Sequence, residues 1–264
     1  MQRCKVSPLL PSSVVEHGFF GRSGGISAGP YSSLNVSFTV GDDVDKVEHN
    51  RQRILQMLGC EGFPLATVDQ VHGAHVVVVS SREEALCTPV QKADALVTDV
   101  PGIALGVMTA DCAPILLCDP GAPRIAAVHA GWRGALLGVV EETLRILEAK
   151  GSPATSLVAV IGPCIQRASY QVSEAFRHPF LEKNPHWSRF FQESASSVWT
   201  FDLPQFLCHR LTELGVKQWE ALPIDTYTHT DFFSFRRAQR ETQGLCGRQM
   251  SVIALKRSIS WKGD

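Results

Sequence analysis

Two neighbouring apolar stretches of the sequence are interrupted by side chains that could do chemistry. The first carries Asp111 and Cys112, and the second ends at His129, shortly before Arg133. A carboxylate, a thiol, an imidazole and a guanidinium therefore lie beside predicted strands otherwise made of Ile, Leu, Val and Ala. Because such breaks in an apolar pattern tend to mark functional sites, we interpret the stretch 106–134 as the centre of a metal-dependent active site.

Three candidate metal ligands lie at predicted strand ends, namely His72, Cys112 and His129. They are far apart in the chain and lack the spacing of a local zinc-finger motif, so the tertiary fold must bring them together. Imidazole and thiolate are good zinc donors, and three protein ligands leave the fourth tetrahedral position open for water or substrate. His75 and Cys118 offer the same chemistry, so spacing alone leaves the choice of ligands open.

The same residues also permit metal-free chemistry. Cys112 could be a nucleophile with His129 as its base, as in cysteine hydrolases, and Asp111 could orient the imidazole or transfer a proton. Trp132 offers a flat face for a base or ring, although burial in a core is the commoner fate of such a residue. Four arginines could hold an anion such as phosphate or a carboxylate: Arg22, Arg133, Arg236 and Arg237.

Hydrophobic periodicity predicts alternating helices and strands around these residues. Helices are predicted at 44–58, 136–150, from Ser173 onwards and from Asp202 to Leu214. Strands are predicted at 76–79, 93–100, 102–108, 157–161 and 250–255. We interpret 80–92 as a surface excursion and the aromatic, irregular segment 180–199 as a lid. Because there is no internal repeat or convincing linker, the sequence predicts one domain over residues 1–264.

Composition narrows the class of protein. The chain has 264 residues, of which 44% are hydrophobic and 19% charged, and its net charge is −1. This balance favours neither nucleic-acid binding nor adhesion to acidic membranes. There is no signal-peptide pattern and no apolar run of about 18 residues, so we expect a cytoplasmic protein without a transmembrane helix. The eight cysteines are dispersed, and we expect reduced thiols.

The motifs resemble those of the YfiH/YlmD family, also called laccase-domain or multicopper polyphenol oxidase-like proteins. Matching segments follow the family's order from about residue 17 to residue 255: HGFFGRSGG, GPYSSLNVSF, VGDD with the following EHNR, DQVHG, ADALVT, TADCAPILL, HAGWRG, IGPCI and FFSFRR. The resemblance implies an α/β domain with a mixed β-sheet core flanked by helices, similar to the catalytic domain of a deamidating bacterial toxin of the CNF type.

The resemblance also implies a site and an activity. Its two histidines and cysteine map onto His72, Cys112 and His129, with zinc as the usual metal and copper possible. The implied activity is phosphorolysis of adenosine, inosine, guanosine or methylthioadenosine, together with deamination of adenosine, so the expected partners are purine nucleosides and phosphate. From their chemistry and location we select four candidate residues: Arg22 and Arg236 as anion or substrate contacts, Asn35 as a polar substrate contact and Asp111 as an acid or base. The sequence leaves open whether the protein is a monomer or a dimer.

Two rival activities and two departures from the family pattern remain. One rival is a copper oxidase of phenols, which the absence of clustered His-Cys-His motifs among nine histidines disfavours. The other is an amide hydrolase that uses Cys112, including the editing of peptidoglycan precursors.

Asp225 stands where family members often have a cysteine, and the link 239–248 looks longer than the family's usual turn.

Overall fold

Two mixed β-sheets form the centre of the structure, a computed structural model that describes residues 4–87, 91–194 and 198–257. Its strands are β1 (Cys4–Lys5), β2 (Val15–Phe20), β3 (Leu65–Ala66), β4 (Val76–Val79), β5 (Ala95–Thr98), β6 (Ala104–Thr109), β7 (Ala113–Asp119), β8 (Arg124–Ala130), β9 (Val158–Ile161), β10 (Gln171–Val172), β11 (Phe191–Glu193), β12 (Trp199–Phe201), β13 (Gln218–Ala221) and β14 (Gln249–Leu255). Its α-helices are α1 (Val44–Met57), α2 (Arg82–Leu86), α3 (Trp132–Leu137), α4 (Val139–Ala149), α5 (Glu174–Lys183), α6 (Leu203–Glu213) and α7 (Phe235–Glu241).

Each large sheet combines parallel and antiparallel neighbours. The five-stranded sheet has the order β1-β2-β14-β6-β3 and is antiparallel except for the pair of β3 with β6. The six-stranded sheet has the order β13-β9-β7-β8-β5-β4, with antiparallel pairs at its centre and a parallel pair at each edge. A small sheet, β10-β12-β11, lies beside them. The prediction of a mixed α/β fold is confirmed.

The central strands are buried on both faces, which explains their nearly continuous apolar sequence. In β7, Leu116 and Cys118 point into the core between the two large sheets, whereas Ile115 and Leu117 face the helical layer. This alternation follows from the two-residue period of a strand. Helices α4 and α6 cover the outer face of the six-stranded sheet, and α1 covers the outer face of the five-stranded sheet.

One predicted helix is divided. The prediction of a continuous helix over 136–150 is wrong, because α3 ends at Leu137 and α4 begins at Val139. Between them Gly138 has a φ of +99°, a left-handed conformation that glycine adopts without a steric penalty. The break lets α3 start directly after the second candidate ligand strand, at Trp132.

The prediction of a lid over 180–199 is also wrong for the residues that the structure describes. Phe180, Trp187 and Phe191 are buried in the core on the helical side of the six-stranded sheet. Their rings pack against Phe201 and Phe206 at centroid distances of 4.8–5.4 Å. An irregular aromatic segment of this kind is a packed core element, since burying its rings stabilises the fold.

The tail contains an element that periodicity missed. FFSFRR begins a helix, α7, whose N-cap Ser234 accepts a hydrogen bond from the backbone of Arg237. The segment 80–92, interpreted as a surface excursion, contains the short helix α2, and its residues 88–90 lie outside the described part. No helix in the described ranges is long and apolar enough to cross a membrane. The extent of the domain, 1–264, stays a prediction.

Candidate metal centre

The three candidate ligands converge at one end of the six-stranded sheet. Cys112 immediately precedes β7 and His129 lies near the end of β8, and the antiparallel register of these strands pairs Ala113 with Ala130. His72 comes from the loop between β3 and β4. The ligand atoms of the three residues lie within 4.8 Å of one another, and His72 Nε2 is 3.8 Å from Cys112 Sγ. The fold therefore forms a compact group that could hold a metal ion.

The other candidate ligands lie elsewhere. Cys118 is buried in the core between the two large sheets. His75 lines a separate surface cavity together with Glu141 and Glu142 of α4. Cys118 lies near the opposite end of β7, where it pairs with Ile125, whereas the group formed by His72, Cys112 and His129 lies at the end where Ala113 pairs with Ala130. Among the described residues the structure therefore groups His72, Cys112 and His129, and it leaves His75 and Cys118 outside this group.

Asp94 connects two of the three candidate ligands, and the sequence reasoning gave it no role. It is fully buried and directly precedes β5, where its Oδ1 accepts a hydrogen bond from His129 Nδ1 at 2.8 Å. The same carboxylate accepts the backbone N–H groups of His72 at 2.9 Å, Gly73 at 2.6 Å and Val71 at 3.3 Å. These bonds hold His72 at a φ of +60°, which is uncommon for a residue other than glycine. Asp94 therefore orients one imidazole and shapes the loop of the other.

Electrostatics prepare the thiol to bind a cation. Burial raises the pKa of Cys112, but the charge and hydrogen bond of His129 and the hydrogen bond of His72 outweigh burial and lower it. Burial lowers the pKa of His129, but Cys112 and the hydrogen bond to Asp94 outweigh burial and raise it. Burial raises the pKa of Asp94, but the hydrogen bonds from His129 and from the backbone outweigh burial and bring the pKa below its usual value. A thiolate next to an oriented imidazole is a good donor pair for zinc.

Gly131 permits the ligands to approach. A Cβ atom at this position would lie 2.9 Å from Cδ2 of His72 and 3.0 Å from Sγ of Cys112. Any larger residue would push one of the two side chains away. The first glycine of the HAGWRG segment, Gly131, is thus required because there is no room for a side chain between His72 and Cys112.

Two cavities meet at Cys112. The first, which we call the arginine cavity, has a volume of about 620 Å³ and is lined by the three candidate ligands together with Arg51, Thr109, Phe235 and Arg248. Arg51 is 8% exposed and forms no ion pair with a described carboxylate; burial lowers its pKa to about 10. Its Nε donates to the Val36 carbonyl at 2.8 Å and its guanidinium lies over the Phe38 ring at 4.3 Å, whereas its terminal nitrogens make only two long contacts of 3.5 Å, to Thr67 and Met108. A buried cation without a described carboxylate partner at a cavity wall favours an anionic ligand.

A second polar group faces the same cavity without a protein partner. Thr109 is 2% exposed, and its hydroxyl has no hydrogen-bond partner among the described residues. Arg248 is half-buried and donates one terminal nitrogen to the carbonyls of Cys246 and Gly247 at 2.9 and 3.0 Å. Since buried polar groups normally have partners, a ligand in the arginine cavity would satisfy the hydroxyl of Thr109.

The second cavity, which we call the aromatic cavity, has a volume of about 240 Å³ and lies on the other side of Cys112. Its walls include Trp132, Tyr170 and Phe235, and its polar members include Asp111, Arg236 and Gln239. Asp111 has a φ of +89°, and its carboxylate accepts hydrogen bonds from the Thr226 hydroxyl and the Arg236 backbone N–H, both at 2.7 Å. Two of the predicted catalytic residues, Asp111 and Arg236, therefore lie beside the metal group.

The other two predicted catalytic residues do not. Arg22 lines a third cavity, of about 510 Å³, where its Nε donates to the Ser32 carbonyl at 2.7 Å and its guanidinium lies over Phe233. Asn35 is completely buried; its amide donates to Ser37 and Asp42 and accepts the backbone N–H groups of Ser37 and Arg248. Asn35 has no contact left for a substrate, so the expectation of a direct contact is corrected to a bracing role next to Arg248.

The remaining residues singled out from sequence are structural or peripheral. Arg237 donates to the backbone carbonyls of Thr226, Tyr227 and Phe232, and Arg133 is exposed on α3. Asp225, the departure from the family pattern, accepts the Ser169 hydroxyl and the backbone N–H of Tyr227. These bonds brace the loop that carries Thr226.

The residues that sequence reasoning missed had weak signals. Asp94 stands next to an apolar strand in ADALV, where a charged residue breaks the pattern. Arg51 stands on the buried face of an otherwise regular helix, α1. Arg248 follows the Gly-rich link in a segment without periodicity. An arginine or aspartate in such positions is usually exposed, so only their burial identifies them.

The fold and the site together define a mixed α/β protein with a His-Cys-His group suited to a metal ion, open to two cavities. The chain belongs to the family whose model is described as multi-copper polyphenol oxidoreductase laccase, which matches residues 16–256. The family predicted from the motifs is thereby confirmed.

Relatives with assigned names are similar over nearly their whole length. A purine nucleoside phosphorylase of Corynebacterium glutamicum is 35% identical over 90% of this chain and 93% of its own. A purine nucleoside phosphorylase of Pseudomonas aeruginosa is 37% identical over 89% of this chain and 91% of its own. The crystal structure of YlmD from Geobacillus stearothermophilus superposes with a TM-score of 0.86 at 27% identity, over 95% of this chain and 94% of that one. A Neisseria meningitidis protein, NMB0706, superposes with a TM-score of 0.83 at 33% identity over 96% and 98%.

Proposed function

We propose that this protein is a zinc-dependent purine nucleoside phosphorylase that also deaminates adenosine. The observation that carries the proposal is that three side chains able to bind a metal line the same cavity as a buried arginine, which has no carboxylate partner among the described residues. A metal group next to an anion site suits a reaction whose second substrate is phosphate. The names of the relatives from C. glutamicum and P. aeruginosa support the same reaction.

Zinc fits the donor set. One thiolate and two imidazoles are typical zinc ligands, and the Asp94 contact to His129 Nδ1 leaves Nε2 of that ring available for a metal. When bound, zinc would supply a Lewis acid that polarises a leaving group or activates water. Three protein ligands leave room for a substrate atom at the centre. The amounts of zinc and of copper in the purified protein decide between these two metals.

In phosphorolysis a phosphate oxygen forms a bond to C1′ of the ribose while the C1′–N9 bond to the base breaks. Arg51 and Arg248 would bind the phosphate in the arginine cavity, where charge-assisted hydrogen bonds hold its oxygens, and the hydroxyl of Thr109 would donate another. The departing base takes the electron pair of the broken bond and a proton. Asp111 lines the adjoining cavity and retains free lone pairs beside its two hydrogen bonds, so it could carry that proton.

Deamination of adenosine belongs to the same proposal. Water replaces the amino group at C6 of the purine, and ammonia leaves. The reaction needs an activated water and a nearby acid–base group, which the metal group and Asp111 would provide. The cytoplasmic location and the oligomeric state, monomer or dimer, stay predictions.

The test is product analysis with metal-replete protein. Adenosine, inosine, guanosine and methylthioadenosine are incubated with and without phosphate, and the bases, ribose 1-phosphate and inosine are quantified by chromatography. We expect free base and an equal amount of sugar phosphate in the arm with phosphate, and inosine from adenosine in both arms. Adenosine that remains unchanged in both arms would rule out the proposal.

Arg51→Gln is expected to raise the KM for phosphate by about 10-fold or more, because charge-assisted hydrogen bonds contribute roughly 1.5–3 kcal/mol and about 1.4 kcal/mol is tenfold. The KM for the nucleoside should change much less. Steady-state kinetics with each substrate varied in turn measure both values.

Arg248→Gln repeats this test from the other side of the arginine cavity, where the side chain is less buried. Arg53→Gln, on the same helix as Arg51 but outside the lining of the cavity, is the matched control. Unchanged KM values for phosphate in both Arg51→Gln and Arg248→Gln would show that the anion binds elsewhere.

A metal-independent amide hydrolase is the second candidate, since one observation favours it. His129 contacts the Cys112 thiol on one side and the Asp94 carboxylate on the other. Cysteine hydrolases arrange a nucleophile, a base and a group that orients the base in the same way. A copper oxidase of phenols is the other alternative, suggested by the description of the family model. Oxidation of a phenol requires oxygen whereas phosphorolysis does not, so assays under nitrogen separate the two.

A further inference from the structure

The aromatic cavity lies next to the proposed reaction centre and has no part in the phosphate site proposed above. It shares Ala110, Cys112 and Phe235 with the arginine cavity, so a ligand that extends past Cys112 can occupy both. Its volume, about 240 Å³, is less than half that of the arginine cavity. A narrow cavity of this kind suits one flat group of a larger substrate.

The walls of the aromatic cavity are rigid. Trp132 packs against Phe176 with ring centroids 4.8 Å apart, and Tyr170 packs against Phe176 and Phe201 at 6.1 and 5.9 Å. These neighbours belong to the aromatic core formed by α5, β12 and the segment between them. Because the core holds Trp132 and Tyr170 in place, they offer preformed apolar faces to a planar ring.

Charge separates the roles of the two cavities. The arginine cavity contains the buried Arg51, which pairs with no carboxylate in the part of the chain that the structure describes, whereas the aromatic cavity contains the Asp111 carboxylate. Arg236, the cation of the aromatic cavity, already donates to the Gln171 carbonyl at 2.9 Å, and its guanidinium lies over one face of the Tyr170 ring, 5.4 Å from the centroid, which leaves the rest of that ring to the cavity. A phosphate would meet the negative charge of Asp111 there, so a neutral ring is the better occupant.

One polar side chain of this cavity is available for recognition. Gln239, on α7, is exposed, and its side chain makes no hydrogen bond with the residues that the structure describes. A carboxamide has both a donor and an acceptor and can present them in either order by rotation. It can therefore pair with a 6-amino purine, which offers a donor beside an acceptor, and with a 6-oxo purine, which offers the reverse.

We propose that the aromatic cavity binds the nucleobase, with the ring against Trp132 and Tyr170 and its polar edge on Gln239. This assignment rests on the proposed phosphorylase function and specifies its substrate recognition. It places the glycosidic bond near Cys112, between the base in the aromatic cavity and the phosphate in the arginine cavity. It also accounts for a single site that accepts both adenine and hypoxanthine nucleosides.

The test measures binding of a free base, which does not depend on turnover. Zinc-loaded protein is titrated with hypoxanthine and with adenine by isothermal calorimetry, with and without phosphate. We expect Gln239→Ala to weaken both affinities by about 10-fold, since it removes hydrogen bonds of about 1 kcal/mol each to the polar edge of the base. We expect Trp132→Leu to weaken them further, and the zinc content to stay unchanged in Gln239→Ala.

Gln56→Ala is the matched control, because Gln56 is an exposed glutamine on the helix α1 and lines neither cavity. Steady-state kinetics then separate this assignment from the function itself. Phosphorolysis with an unchanged KM for nucleosides in both Gln239→Ala and Trp132→Leu would overturn the assignment and leave the phosphorylase proposal standing. Base binding that the variants abolish, in a protein that performs no phosphorolysis, would support the assignment and overturn the phosphorylase proposal.

Discussion

Cys112→Ser is expected to lose bound zinc and phosphorylase activity together. A hydroxyl is a poor replacement for a thiolate as a zinc ligand, and the remaining group would consist of His72 and His129 alone. Because a metal ion contributes several kcal/mol of transition-state stabilisation, activity should fall by about 100-fold or more. Metal content after dialysis against a weak chelator and initial rates on the same samples give both quantities.

The same variant distinguishes a ligand from a nucleophile. If Cys112→Ser retains a full equivalent of zinc and still loses activity, Cys112 acts as the nucleophile. An amide hydrolase would then explain the site better than a zinc-dependent phosphorylase. Cys87→Ser is the matched control, since this thiol is exposed at the end of α2 and distant from the site in the fold. It should keep both zinc and activity.

Asp94→Asn is expected to weaken zinc binding by about 10- to 100-fold, the usual effect of removing the carboxylate partner of a ligating histidine. An amide cannot accept from His129 Nδ1 and from three backbone N–H groups at once, and its own N–H₂ would face donors. The loop of His72 should loosen as well, since each orphaned buried group costs roughly 1–3 kcal/mol. Competition titration with a zinc-binding dye measures the affinity, and thermal unfolding of the metal-free protein measures the stability.

Asp119→Asn separates positioning of the metal ligands from stability in general. Asp119 is also a buried carboxylate, at the opposite end of β7, where it accepts the hydroxyls of Ser152 and Ser156 and the backbone N–H of Gly121. Its substitution should lower the unfolding temperature but leave zinc affinity unchanged. Equal zinc affinities in the two variants would mean that Asp94 supports the fold without orienting the ligands.

The errors of sequence-based prediction in this chain have physical causes. The segment 180–199 lacks periodicity because its rings fill a core from several directions, which an irregular backbone allows. The divided helix at Gly138 was missed because a single glycine inside a periodic pattern is compatible with a continuous helix, and only its left-handed φ shows the break. Helix α7 was missed because it is short and its start coincides with an aromatic motif.

The sequence by itself predicted the apolar strands around the site, because burial on both faces of a strand requires an apolar run and functional side chains interrupt it. Its motifs, through their resemblance to the YfiH/YlmD family, implied the mixed α/β fold and the set His72, Cys112 and His129, which spacing alone left open. Only the tertiary structure showed that Asp94 accepts hydrogen bonds from two of these residues, His129 and His72. Only the tertiary structure also showed that Arg51 and Arg248 line one cavity while Arg22 lines another. The reason is that burial, charge compensation and the shape of a cavity depend on residues distant in the chain, which no local pattern specifies.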